Sequence, residues 1–165
     1  MIHLRKKSEE VFYYKSKNYS FINYKYINFL KSRVSKTKKK RVRICLHKSI
    51  KDKLHEMIIV LSKQTYIRPH KHQNKAESLH VIQGSADVVF FSNNGKVVKK
   101  ERLSKNKNFL YRLSSATFHT FKIRSKFFIF HETTEGPFIK NKTVFAKWSP
   151  KEINKKKAKY FIKAL

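Results

Sequence analysis

Apolar residues recur at two distinct spacings along this chain. From Phe21 to Val34, Ile22, Tyr26, Phe29, Leu30 and Val34 follow at three- and four-residue steps, the stripe of an amphipathic helix docked on a larger body. Ser20 stands where a cap is expected. From Arg41 the period falls to two. In R-V-R-I-C-L-H, Val42, Ile44 and Leu46 share one face while Arg41, Arg43, Cys45 and His47 share the other, which predicts a strand with one buried side. Short strands are predicted again over 56–61, 65–69, 77–83, 86–91, 96–103, 108–113, 119–123, 126–131 and 143–147. Ser92-Asn93-Asn94-Gly95 is a hairpin signal between two of them. So many short strands without intervening helices predict a mainly β sandwich or barrel and argue against a parallel sheet.

The ends read differently. Residues 1–20 show no period and are expected to be a loose basic arm, and 35–40 a basic linker. Ser149-Pro150-Lys151-Glu152 reads as a capping box with proline at the first helical position. It predicts a closing helix with Ala158, Phe161, Ile162 and Leu165 as its apolar stripe. The expected organisation is an arm and helix over 1–40, a β domain over 41–148 and a basic helix over 149–165.

Composition narrows the class. The 165 residues suit one domain, and 40% hydrophobic with 14% aromatic content is that of a folded chain in spite of 30% charge. A single cysteine excludes an internal disulfide and suits a reducing compartment. No apolar run approaches the roughly 20 residues of a membrane span. The first ten residues lack the apolar core of a signal peptide, so the chain reads as cytoplasmic. The net charge of +30 points to polyanionic partners, nucleic acid among them. Heavy use of Lys, Asn, Ile, Phe and Tyr with only 3 Gly and 3 Pro makes compositional bias the better explanation of that charge.

Chemistry concentrates in Y-I-R-P-H-K-H-Q-N-K-A-E-S-L-H-V-I-Q-G, residues 66–84. His70 and His72 lie at i and i+2, on one face of an extended strand. Pro69 favours extended chain, and Gln73-Asn74-Lys75 favour a turn that brings Glu77 back from the next strand. His119, in T-F-H-T-F, is a fourth candidate from another alternating segment. Imidazoles and a carboxylate are the ligands of a divalent transition metal; Fe, Mn, Ni, Co and Zn all accept the set. No rival constellation appears: Cys45 and His47 are strand neighbours poorly placed as nucleophile and base, and no glycine-rich phosphate loop is present.

H-K-H-Q-N-K-A-E-S-L-H-V-I-Q-G fits the first cupin motif, and His119 falls where the second motif supplies its histidine, although Ser114-Ser115-Ala116 lacks that motif's Pro and Gly. More specifically, the chain resembles the WbuC family of cupin-fold metalloproteins. The resemblance rests on R-V-R-I-C-L-H, L-H-E-M, Y-I-R-P-H-K-H-x-x-K-x-E-S-L-H-V-I-x-G, Y-R-L, H-E-T-T-E-G-P-F and A-K-W-S-P, in order over about residues 40–150. It implies a single-domain cupin-type jelly-roll β-barrel with one metal held by His70, His72, Glu77 and His119. It also implies a setting in bacterial O-antigen or other surface-polysaccharide metabolism, and cupins often dimerise.

Around those ligands the sequence offers further candidates. Tyr111 and Arg112 can bind a sugar hydroxyl or phosphate, and Lys75 can reach an anion over the mouth. Arg43 and His47 share a polar strand face that can line the cavity. One of His131 and Glu132 should face inward; if His131, it can move a proton near neutral pH, as Tyr111 can. His80, Arg68 and Lys71 fall on the opposite parity from the ligands. The expected function is a metal-dependent enzyme, isomerase- or epimerase-like or an oxygenase, acting on a sugar or nucleotide-sugar. The alternatives are a sugar-binding module with a structural metal, or a basic protein binding nucleic acid through the aromatics and lysines of residues 13–26.

Overall fold

The computed structural model describes residues 2–15 and 18–165. Among these residues are twelve strands: β1 Leu4–Lys6, β2 Val11–Tyr14, β3 Arg41–Cys45, β4 Leu54–Ser62, β5 His70–His72, β6 Glu77–Gln83, β7 Ser85–Phe91, β8 Val97–Ser104, β9 Leu110–Leu113, β10 Phe118–Ile123, β11 Phe127–Glu135 and β12 Thr143–Phe145. Two helices, α1 Tyr24–Val34 and α2 Lys155–Ala164, complete the secondary structure with a 3-10 turn at Lys140–Lys142. One sheet has the order β1-β2-β3-β4-β11-β6-β9 and the other β12-β5-β10-β7-β8. All pairings are antiparallel except β2 with β3. The result is a jelly roll of two facing sheets. Edge strands β8 and β9 do not pair with each other, so the roll stays open along that side.

Alternation sets the layers. Met57, Ile59 and Leu61 of β4, Leu79 and Val81 of β6 and Phe128 and Phe130 of β11 point between the sheets. There they meet Ala86, Val88, Phe121 and Ile123 of the smaller sheet. The opposite parity of the larger sheet, Val42, Ile44, Ile58, Val60 and Ile129, packs under α1 through Tyr26, Ile27, Leu30 and Val34. Outside the smaller sheet, Val89, Phe91 and Phe118 pack with Trp148 and with Phe161 and Leu165 at α2. Gly84 (φ 83°) turns β6 into β7 where an added Cβ would lie 2.0 Å from the Phe127 carbonyl oxygen, so no other residue fits.

The structure departs from the sequence expectations at both ends. The first residues are not a loose arm: β1 and β2 form a hairpin, and β2 pairs parallel to β3 with Tyr13 opposite Cys45. Four residues are too few to display a period, yet Phe12 faces α1 and Tyr13 the interior. Asn23, not Ser20, caps α1, its side-chain oxygen accepting from the Lys25 amide at 3.0 Å. The capping box at Ser149–Glu152 does not form. Arg41 draws the Glu152 carboxylate away at 3.0 Å, and the Ser149 hydroxyl donates to the Ala146 carbonyl, so α2 starts later under Asn154. Residues 65–69 likewise precede a shorter strand, β5. No helix among the described residues is long and apolar enough to cross a membrane.

Packing identifies the side chains that hold α1. Leu30 is wholly buried, whereas Tyr24 at the start of the same helix is 72% exposed. Leu30→Ala should cost about 2–5 kcal/mol in urea unfolding, while Tyr24→Ala should stay within about 0.5 kcal/mol.

Candidate metal centre

The inner face of the larger sheet changes character along its strands. β11 runs Phe128, Phe130, Glu132, Thr134 on one face, so its apolar wall becomes polar within four residues. Cross-strand register carries the change sideways. One row reads Tyr13, Cys45, Met57, Glu132, Leu79, Tyr111 across β2-β3-β4-β11-β6-β9. The next reads His55, Thr134, Glu77, Leu113. Facing this polar end, the smaller sheet contributes His70 and His72 from β5 and His119 from β10, with His70 paired opposite His119.

Ligating atoms of His70, His72 and His119 all lie within 4.8 Å of one another. His119 Nε2 is 2.9 Å from Glu77 Oε1, and His72 Nε2 is 3.5 Å from Glu77 Oε2. The other ring nitrogens are already engaged. His70 Nδ1 meets the Arg68 carbonyl and His119 Nδ1 the Thr117 carbonyl, both at 3.0 Å, and His72 Nδ1 meets Thr143 Oγ1 at 3.2 Å. A carbonyl at Nδ1 fixes the proton there and leaves Nε2 free to donate electrons to a cation. Three imidazoles aimed inward with a carboxylate between two of them are the donor set of a divalent transition metal, so these residues fit such an ion.

Burial and neighbours tune the same groups. Burial, with His119 and His72 adding to it, pushes the His70 imidazole down to about 3, so it is neutral at ordinary pH. Burial alone would raise the Glu77 carboxyl, but the hydrogen bond and charge of His119 override it and hold Glu77 well below the usual carboxylate range. His119 moves up, since the Glu77 bond outweighs its burial. Without a cation the two share one buried proton, which a bound metal would replace.

Around this core the structure brings some candidate residues together and separates others. Glu132, not His131, faces inward. His131 lies on the outer face 3.5 Å from Glu56 and opposite His80, away from the imidazoles. Burial, then the charge of Glu77, raises the Glu132 carboxyl to about 7, while Arg43, Lys75 and His119 oppose the shift. Arg43 faces the interior, its guanidinium 3.8 Å from Met57 Sδ. Lys75 sits in the turn before β6, where burial lowers its ammonium pKa and the charges of Glu132, Glu77 and Glu135 raise it. Tyr111 has a buried hydroxyl with no hydrogen-bond partner, raised by burial and by the charges of Glu77 and Glu132.

Two expected ligand-binding side chains stand apart from the imidazoles. Arg112 is exposed on the outer parity of β9 and donates to Ser78 Oγ at 3.4 Å. His47 stacks on His55 with ring centroids 4.1 Å apart, and its Nδ1 accepts from the Glu56 amide at 3.2 Å. Arg68 and Lys71 point away as parity predicts: Arg68 binds the Ala146 carbonyl at 2.7 Å, and Lys71 lies over the Phe118 ring at 4.6 Å. The sequence reading missed Thr143, which orients His72. Its only signal is a β-branched residue opening a short strand, and the pairing with His72 exists only once β12 is placed beside β5.

A jelly roll with inward imidazoles on two strands of one sheet and a carboxylate on the facing sheet is the cupin architecture. Residues 22–103 match the model of a domain of unknown function, DUF6016, which includes His70, His72 and Glu77 but not His119. No curated protein sequence matches the chain. Among solved structures, the capsular polysaccharide assembling protein CapF from Staphylococcus aureus is similar in fold, with a TM-score of 0.54 and 16% identity. That likeness covers 62% of this chain but 31% of CapF, so the chain corresponds to about a third of that protein. A Shewanella oneidensis protein is similar at a TM-score of 0.52 and 9% identity, over 62% of this chain and 72% of its own.

The raised Glu132 carboxyl makes a signed forecast. The folded state holds its proton up to about pH 7 while the unfolded chain releases it near 4.5, so this group lowers stability as pH rises between those values. In chelator-treated protein, Glu132→Gln should therefore gain on wild type from pH 5 to pH 8, by on the order of 2–3 kcal/mol in denaturant unfolding. A difference that does not change with pH would show that Glu132 titrates normally.

Proposed function

We propose that this chain is a metal-dependent cupin that binds one divalent transition metal through His70, His72, His119 and Glu77 and acts on a small polar anion. The observation that supports it best is the convergence of four donor side chains from three separate strands, three of them with their second nitrogen already engaged. Three imidazoles and one carboxylate leave positions on a five- or six-coordinate ion for a ligand oxygen. The ion would polarise that carbonyl or hydroxyl oxygen.

The chain's own residues supply the rest. Arg43 and Lys75 bring positive charge to the cavity and suit an anionic group of the ligand. Glu132, with its carboxyl near neutrality, can take a proton from a carbon next to a carbonyl and return it, which is isomerase or epimerase chemistry. Tyr111 offers its unpartnered hydroxyl as a donor to the oxygen on which charge develops. The resemblance to the WbuC family makes a sugar or nucleotide-sugar of surface-polysaccharide metabolism the substrate class. CapF, which has the same fold, carries the description of a capsular polysaccharide assembling protein.

Two measurements test this. Elemental analysis of protein purified without chelators should find about one equivalent of metal, and His70→Ala and Glu77→Ala should each hold less than about a tenth. Wild type at that low level refutes the metal centre. In deuterated buffer, metal-loaded protein should exchange a ring proton on one member of a nucleotide-sugar panel, followed by NMR. Glu132→Gln should slow that exchange by about 10²–10⁴-fold. Metal without exchange on any substrate favours the non-catalytic sugar-binding module.

A further inference from the structure

The roll is open where β8 and β9, the edges of the two sheets, face each other unpaired. A cleft of about 540 Å³ occupies that opening. Its size falls within the range of small-molecule sites. Val88, Phe90, Leu103 and Leu110 make its walls apolar, and two hydroxyl residues, Tyr111 and Thr117, also line it. At the rim, Lys99 pairs with Glu101 at 3.6 Å, and Glu101 also accepts from Asn108, which leaves Arg112 as the cation there without a carboxylate partner.

Thr117 adjoins the metal centre, and Tyr111 lies in the same inward cross-strand row as Glu132. The Thr117 carbonyl holds His119 Nδ1 at 3.0 Å. The Tyr111 ring lies edge-on to Phe121 at 6.4 Å and beside Phe90 at 5.9 Å, while its hydroxyl experiences the charges of Glu77 and Glu132. That hydroxyl is buried and has no hydrogen-bond partner. Leaving such a group unsatisfied costs about 1–3 kcal/mol.

We propose that the cleft between β8 and β9 is a second binding compartment, for the aromatic body of an anionic ligand whose polar head lies at the three imidazoles. Phe90 and Tyr111 give ring faces and edges for a flat group, which favours an aromatic body over a bare sugar. Arg112, displaced from the imidazoles, finds its use at this rim. The role of the head group rests on the proposed metal centre; the cleft itself does not. Within the substrate class above, it selects a nucleotide-linked compound over a free sugar phosphate.

The test uses the full chain, with and without metal. The probes are 1-anilinonaphthalene-8-sulfonate and uridine monophosphate, with glucose 1-phosphate as the non-aromatic anion. Methyl resonances of Val88, Leu103 and Leu110 should shift saturably with both aromatic anions, and at least about tenfold more glucose 1-phosphate should be needed. Tyr111→Phe, which keeps the ring, should weaken uridine monophosphate about tenfold, the worth of one buried hydrogen bond. Arg112→Gln, an exposed change that leaves folding intact, should weaken both aromatic anions. Saturable binding that leaves those methyls unmoved, or equal binding of the sugar phosphate, overturns the proposal. Cleft binding in protein that takes up no metal would uphold the compartment while removing the metal centre, so the two failures are distinct.

Discussion

The 2.9 Å contact between Glu77 and His119 is the constraint on which the rest depends. Both groups are buried, one on each of the two facing sheets. A carboxylate in that position is tolerated only with partners, because desolvating an unpaired charge costs several kcal/mol. Glu77 finds His119 and His72 across the sandwich, and those imidazoles are fixed in turn by carbonyls and a threonine hydroxyl. The sheets cannot slide past one another without stranding these groups. The site is thus also a register pin for the fold.

The apolar interior meets this polar end abruptly. On β4 the inner face runs Leu61, Ile59, Met57, His55; on β6 it runs Val81, Leu79, Glu77; on β11 it runs Phe128, Phe130, Glu132. Three adjacent strands change chemistry at the same end, so one part of the sandwich is an apolar core and the other a polar end. The helices complete the core from outside: α1 covers the larger sheet and α2 the smaller. Neither helix contributes to the centre, which leaves the polar end free for a ligand.

The charge of +30 acquires a physical context here. Several of the 10 acidic residues are already committed. Asp87 is buried between Arg102 and Arg124, Glu152 and Glu10 hold Arg41, and Glu77 holds His119. What remains on the surface is overwhelmingly cationic. Such a field draws small anions towards the molecule from a distance of about a Debye length, roughly 8–10 Å at physiological salt.

Much of this was legible from residues alone. Period-two segments gave the strands because one buried face imposes alternation, and H-K-H with Glu77 gave a candidate donor cluster because their spacing is local chemistry, whereas His119 meets them only through the pairing of β10 with β5. Parity placed Lys71, Arg68 and His80 away from the centre for the same reason. Other features depend on partners distant in sequence. Glu132 rather than His131 faces inward because β11 takes its parity from Phe128 and Phe130 in the core. The first strands exist because β3 offers β2 an edge, and α2 starts late because Arg41, more than a hundred residues earlier, captures Glu152. Sequence fixes what each segment can bury; only the assembled sheets decide which neighbour it meets and which cleft is left open.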